Sequence, residues 1–300
     1  MNDRFLYAPL HRRPVLRWPQ GRRLAVWLVP NVEHYEFRPS WRGRREPWPR
    51  TAHPDSLNYP LKEYGLRVGL ERFMDLTDRL DVRCTVSLSM AVPAMFPDLF
   101  DEMRRRRWDF MCHGLYNTHY LWDYPPEAER EFVADCRRRM DDATGTTQHG
   151  WFSPACSHTV NTADIVEEAG FSYYCDLYHD DQPFPVLTRG GSLISLPYSM
   201  DVNDAVVHIN GGEGDDFAQV ILDQFQTLYR DSANTGLVMC IACHPYLTAQ
   251  PSRIVAFEKA LRHILSHDDV WMTTGREMDA WYRSEYLQTF NDWLKDAACR

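Results

Sequence analysis

The chain has 300 residues, of which 44% are hydrophobic and 13% aromatic; it therefore buries a sizeable core, about 75% of its unfolded surface, and is not intrinsically disordered. Acidic residues outnumber basic ones by 42 to 33, and a net charge of −9 repels nucleic acid and anionic lipid. No apolar run reaches the roughly 20 residues of a membrane span and no secretory signal is recognisable, so we expect a cytoplasmic protein that binds neither nucleic acid nor membrane.

Short apolar strands alternate with helices along the chain. The first apolar run ends at a proline and is followed by polar residues, which is typical of a buried strand that ends in a loop. The pattern predicts strands over residues 23–30, 83–89, 108–112, 148–152, 172–176, 193–197, 236–243 and 270–274. Helical spacing predicts helices over residues 66–80, 97–106, 126–142, 162–170, 216–229, 252–267 and 276–286.

This alternation predicts an α/β fold, a distorted (β/α) barrel of seven or eight strands in a single domain. An open, doubly wound sheet is the alternative, but no glycine-rich phosphate loop follows any strand. We expect the barrel to span residues 23–290, with an N-terminal arm over 1–22 and a C-terminal tail over 291–300. Residues 36–64 contain five prolines and no period, which predicts a long loop that covers a site.

Polar residues follow several of these strands, and in a barrel the chemistry lies at the carboxyl ends of the strands. Glu33 follows the first strand, and His113 and His119 follow the third. Carboxylate and imidazole are ligands of a divalent cation, and three of them leave one position open for water. The alternative is a structural role, in which backbone groups satisfy these histidines.

Two further residues are candidates for acid–base chemistry. His244 ends an apolar strand and precedes a proline, so we expect it to face the barrel mouth as a general acid or base. Asp176 follows the fifth strand and is expected to orient a histidine or the substrate, unless it lies in a solvated loop. Trp151 is expected to line a pocket for a flat or sugar-like substrate, unless it only packs in the core.

Four short stretches together resemble the motifs of the polysaccharide deacetylase superfamily, which includes carbohydrate esterase family four. They are Pro-Asn-Val-Glu-His at residues 30–34, His-Gly-Leu-Tyr-Asn-Thr-His at 113–119, Gly-Trp-Phe-Ser-Pro-Ala at 150–155 and Cys-His-Pro at 243–245. The Asn-x-Glu first motif is most similar to the intracellular branch of metal-independent allantoinases and cyclic imide hydrolases. The resemblance covers residues 23–275 and implies a distorted barrel that hydrolyses a non-peptide C–N amide bond.

The chain departs from the typical deacetylase motifs. Asn31 stands where the base aspartate is expected, Glu33 where the ligand aspartate is expected, and Asn117 where the second histidine is expected. An asparagine cannot accept a proton at neutral pH, so the usual aspartate base is lost. The resemblance therefore leaves two alternatives: one divalent metal (zinc, manganese or cobalt) held by Glu33, His113, Asn117 and His119, or a metal-independent reaction.

The resemblance also implies roles for individual residues. Glu33 would bind the metal or act as the base, His244 would donate a proton to the leaving nitrogen, and Asp176 would support them. The substrate-binding residues are expected to be Asn31, His34, Trp151, Ser153, Pro154 and Ala155. Family members commonly form dimers or tetramers, so we expect a homo-oligomer, with the arm over residues 2–21 as a contact.

Three functions follow from these observations. The first is hydrolysis of a small cyclic amide, ureide or imide. The second is metal-dependent deacetylation of an N-acetylated sugar or polysaccharide. The third is a catalytically inactive barrel that binds a ligand or a partner, because the chain lacks an aspartate and a histidine that the typical enzymes have.

Overall fold

The computed structural model describes residues 4–38 and 54–298 of the chain, and its strands and helices all lie within these ranges. Nine strands form one curled sheet, and in chain order they are β1 (Leu24–Val32), β2 (Thr85–Leu88), β3 (Asp109–Cys112), β4 (Gly150–Trp151), β5 (Tyr173–Tyr174), β6 (Phe184–Pro185), β7 (Ile194–Ser195), β8 (Leu237–Cys243) and β9 (Val270–Thr273). The sheet order is β6-β7-β5-β4-β3-β2-β1-β8, and β9 also pairs with β1.

The predicted single-domain α/β barrel is confirmed, with one antiparallel addition. Strand β1 lies at the centre of the curl: β8 pairs with it along Leu24 to Pro30, β9 pairs with its first half, and β2 pairs with Asn31 and Val32. All described strand pairs are parallel except β6 with β7. The two-residue strand β6 was not predicted.

The described part of the chain contains twelve helices. They are α1 (Asn58–Tyr64), α2 (Leu70–Leu80), α3 (Val92–Met95), α4 (Pro97–Arg105), α5 (Pro126–Thr144), α6 (Thr162–Glu168), α7 (Asp204–Ile209), α8 (Gly214–Asp231), α9 (Pro245–Thr248), α10 (Ile254–Leu265), α11 (Gly275–Glu285) and α12 (Leu287–Ala298). A π-helical turn, Gly65–Gly69, joins α1 to α2.

Local sequence explains the principal helices. Helix α2 buries Leu70, Phe73 and Leu76 on one face and ends at Asp81, whose φ of 52° is left-handed. Helix α11 begins with a capping box between Thr274 and Glu277. Two expectations need correction: the predicted loop over 36–64 includes helix α1, and the predicted tail over 291–300 is helical as far as residue 298. The loop residues 39–53 lie outside the described residues.

Side-chain alternation along the strands divides the core into two clusters. On β1, Leu24, Val26 and Leu28 pack outward against the helices, whereas Ala25 and Trp27 belong to a second cluster inside the barrel. Successive side chains of a strand point to opposite faces. The inward face therefore continues through Asn31 to Glu33 as the strand ends, and this places both residues at the barrel mouth.

The N-terminal arm packs against the opposite end of the barrel. Leu16 and Trp18 are buried, and the Trp18 indole donates to the backbone oxygen of Leu237 at 2.8 Å. The Arg13 guanidinium forms an ion pair with Asp180. Much of the arm is thus covered by its own chain, and the homo-oligomer stays a prediction. No helix in residues 4–38 or 54–298 is long and apolar enough to cross a membrane.

Candidate active site

Three predicted residues meet at the carboxyl ends of β1, β3 and β8. Glu33 Oε1 lies 3.3 Å from His113 Nε2 and 3.7 Å from His244 Nε2. All three residues are buried. Each continues the inward face of its strand, because Met111 and Ala242, two residues before the histidines, belong to the cluster inside the barrel. The structure therefore brings Glu33, His113 and His244 into one polar cluster at the mouth.

The charges in this cluster are set by the partners of each group. Burial alone would raise the pKa of Glu33, but the charge of His244 and the hydrogen bonds of His113 and His244 lower it well below its ordinary value. Burial alone would lower the pKa of His244, but the charges of Asp204 and Glu33 raise it to about 10. At neutral pH the pair therefore consists of a carboxylate and an imidazolium.

Asp204 orients His244, and the sequence reasoning did not identify it. Its carboxylate contacts His244 Nδ1 at 2.6 Å and accepts from the His244 backbone N–H at 2.8 Å and from the Thr248 hydroxyl at 2.6 Å. A parallel bridge between Asn203 and Ala242 places Asp204 beside the end of β8. Asn203 marks the start of α7 in the sequence, because it caps the helix by accepting from the Ala205 backbone N–H, but it does not reveal the contact of Asp204 with His244.

Tyr35 and Asn117 form a second contact with Glu33. The Tyr35 hydroxyl donates to Glu33 Oε2 and accepts from Asn117 Nδ2 at 2.7 Å. Asn117 Oδ1 accepts from the Ala155 backbone N–H at 3.0 Å. Both ends of the Asn117 amide are thus engaged within the protein. Ala155, with φ of 48°, is a strained position that this contact helps to hold.

Asn31 is buried beside the same cluster. Its Nδ2 donates to the Tyr198 hydroxyl at 3.0 Å and to the Cys243 backbone oxygen at 3.2 Å. Asn31 therefore links the ends of β1 and β8. The structure places this predicted substrate-binding residue at the mouth, with its amide nitrogen already bonded to protein groups.

Two predicted histidines point elsewhere. His119 Nε2 pairs with Glu36 Oε2 at 3.0 Å, and His34 Nδ1 lies 3.4 Å from Glu63. His34 follows Glu33 and so lies on the opposite face of the extended chain. The structure does not bring His119 together with Glu33 and His113, because the loop after β3 turns its side chain toward Glu36.

Asp176 and Trp151 belong to the outer face of the sheet. The Asp176 carboxylate accepts from the Ser153 backbone N–H at 2.9 Å and from the Ser153 hydroxyl at 2.7 Å. The Trp151 indole donates to the same hydroxyl at 2.9 Å. Burial raises the pKa of Asp176. This network fixes the loop after β4, in which Pro154 packs against Gly114. The backbone N–H of Ser153 is bonded to Asp176 within the network.

The described residues do not fit the metal site of a typical deacetylase. No group of three or more His, Cys, Asp or Glu side chains in residues 4–38 and 54–298 is arranged to hold a metal ion. Asn117 occupies the position of the second histidine, and both ends of its amide are bonded to protein. His119, another residue of the expected metal set, pairs with Glu36 instead.

Comparisons with known proteins agree with this fold. The profile of the polysaccharide deacetylase family matches residues 62–174. A Schizosaccharomyces pombe protein assigned to the polysaccharide deacetylases is 26% identical over 88% of this chain and 92% of its own length. A Helicobacter pylori peptidoglycan deacetylase is 25% identical over 47% of this chain and 59% of its own length. Residues 62–174 of this chain thus match the polysaccharide deacetylase family, which agrees with the motifs found in the sequence.

The structure is also similar to that of PuuE allantoinase. The two share 26% sequence identity with a TM-score of 0.80, over 91% of this chain and 94% of the allantoinase. A probable polysaccharide deacetylase from Pseudomonas aeruginosa PAO1 gives the same identity and a TM-score of 0.78, over 91% of this chain and 95% of its own.

Proposed function

We propose that this chain hydrolyses a C–N bond in a small cyclic amide, ureide or imide. One observation carries the proposal: the carboxylate of Glu33 and the imidazolium of His244 lie 3.7 Å apart at the barrel mouth, and Asp204 orients the imidazolium. Ring opening by water uses a general base that takes a proton from the water and a general acid that gives one to the leaving nitrogen. The similarity to an allantoinase over nearly the whole chain supports the same substrate class.

The positions of these atoms support the following reaction. Glu33 Oε1 takes a proton from a water molecule while the water oxygen bonds to the amide carbon. The C–N bond then breaks as His244 Nε2 gives its proton to the leaving nitrogen. The proton held by Glu33 returns to His244, and the products are a carboxylic acid and an amine or ureido group. Neither step uses a metal.

A second candidate is deacetylation of an N-acetylated sugar. The similarity to a peptidoglycan deacetylase favours it, and the reaction also breaks an amide bond. The neutral amides Asn31 and Asn117 weigh against it, since they replace groups that the typical metal-dependent reaction uses.

An activity assay on a panel of compounds tests both candidates. The panel contains allantoin, hydantoin, dihydrouracil, succinimide and N-acetylglucosamine oligomers, and each is followed by release of its product. We expect ring opening of at least one cyclic amide, and a loss of about 100-fold or more in Glu33→Gln and His244→Ala. His263→Ala, an exposed histidine on α10, is the control. Acetate release alone would contradict the cyclic-amide proposal.

A further inference from the structure

The hydrogen bonds of Tyr35 can run in only one direction. Asn117 Oδ1 must accept from the Ala155 backbone N–H, so the other end of the amide, Nδ2, donates to the Tyr35 hydroxyl. The hydroxyl has a single hydrogen, which is therefore directed to Glu33 Oε2. Reversing the Asn117 amide would place its two donor hydrogens against the donor of Ala155.

This direction decides which oxygen of Glu33 faces the reacting atoms. Oε2 is occupied by the Tyr35 hydroxyl, and Oε1 is the oxygen near His113 and His244. The Lys62 ammonium lies 3.4 Å from the centre of the Tyr35 ring.

We propose that Tyr35 is a positioning residue for the hydrolysis: its hydroxyl, directed by Asn117, holds the Glu33 carboxylate so that Oε1 faces the substrate. This proposal rests on the proposed function, since it assigns Glu33 the role of base. Tyr35 acts through Glu33, and its removal is therefore expected to affect turnover more than substrate binding.

Two substitutions test the proposal with the cyclic amide that the panel identifies. Tyr35→Phe removes the donor, and we expect kcat to fall about 10- to 100-fold with KM within about threefold of wild type. Asn117→Asp keeps an acceptor for Ala155 but presents a second acceptor to Tyr35, so the tyrosine hydrogen turns away from Glu33 and kcat falls similarly. Tyr116→Phe is the control, because Tyr116 lies next to Asn117 in the loop after β3. It should leave kcat and KM unchanged.

A double variant that combines Tyr35→Phe with Asn117→Asp tests whether Asn117→Asp acts through the direction of the hydrogen bonds or only through its added negative charge. If Asn117→Asp acts through the tyrosine hydroxyl, it adds little in a Tyr35→Phe background. An equal loss in both backgrounds, a wild-type kcat in Tyr35→Phe, or a change in KM alone would overturn the proposal.

A crystal structure of Tyr35→Phe gives a result that does not depend on activity. We expect the Glu33 carboxylate to rotate away from its present position while His113 and His244 stay in place. An unmoved carboxylate would overturn the positioning role. If the wild-type protein opened no ring in the panel, the proposed function would fail. The position of Glu33 in the Tyr35→Phe crystal structure would still show whether Tyr35 holds the carboxylate in place.

Discussion

At the scale of single residues, the protonation of His244 depends on two carboxylates. Burial alone would make the imidazole neutral at physiological pH, but Asp204 and Glu33 raise its pKa to about 10. A group whose pKa is raised on folding stabilises the folded state below its unfolded pKa. This contribution is fully present below pH 6.5 and is lost as the pH rises toward about 10.

The pH dependence of turnover should show this raised pKa. In wild type we expect kcat to be maintained at neutral pH and to fall as the pH rises through about 10, because neutral His244 cannot donate a proton. In Asp204→Asn the decline should begin at a lower pH, since one of the two charges that raise the pKa is gone. The measurement is kcat against pH for both proteins.

The control for this profile is Asp201→Asn, because Asp201 is exposed and lies three residues before Asp204 on the same segment. Its profile should match that of wild type. An alkaline decline at the same pH in Asp204→Asn and wild type would show that Asp204 does not set the proton affinity of the acid.

At the scale of elements, the π-helical turn before α2 supports the segment that carries His244. A Cβ atom on Gly69 would lie 2.3 Å from the Pro245 backbone oxygen, and one on Gly65 would lie 3.0 Å from the Tyr246 backbone nitrogen. The glycines therefore allow the turn to pack directly on the first residues of α9. Such turns within helices occur frequently at functional sites.

Replacing Gly69 by alanine should displace the segment after β8. We expect Gly69→Ala to lower the free energy of unfolding by about 1–3 kcal/mol and to reduce kcat, because the obstacle is backbone rather than a mobile side chain. Val68→Ala, at an exposed position in the same turn, should stay within about 0.5 kcal/mol of wild type. Urea unfolding of both variants measures the difference, and equal stabilities would contradict the close packing.

The strand pattern predicted the barrel and the positions of Glu33, His113 and His244, because each of these residues follows a run of apolar residues whose period is visible. His119 was assigned to the metal set from its place after the third strand, but its direction depends on the loop and on Glu36. Asp204 was missed because its contact with His244 crosses 40 residues. Such partners depend on tertiary packing, which local periodicity does not encode.

At the scale of the whole molecule, metal content distinguishes the two kinds of chemistry that the sequence left open. We expect protein purified without added metal or chelator to contain zinc, manganese and cobalt well below one ion per chain, since both ends of the Asn117 amide are bonded to protein and His119 pairs with Glu36. Elemental mass spectrometry makes the measurement. One ion per chain that disappears in a Glu33→Ala, His113→Ala double variant would contradict this prediction.

The N-terminal arm should contribute to the stability of the barrel. Trp18 is buried against Trp271 and Trp281, with ring centres 5.5 and 5.1 Å away. We expect Trp18→Ala to lower the free energy of unfolding by about 3–5 kcal/mol, measured by urea denaturation. Tyr7→Ala, at an exposed position in the same arm, is the control. A stability for Trp18→Ala equal to that of the control would contradict the docking of the arm.

The filled interior of the barrel has a kinetic consequence. Ala25, Trp27 and Met111 occupy the space below the site, and the arm packs against the far end through Leu16 and Trp18. A ring-opened product therefore has to leave by the mouth through which the next substrate enters. Product inhibition should then be competitive with substrate. A bulky product should lower the steady-state rate of turnover even when bond cleavage is fast.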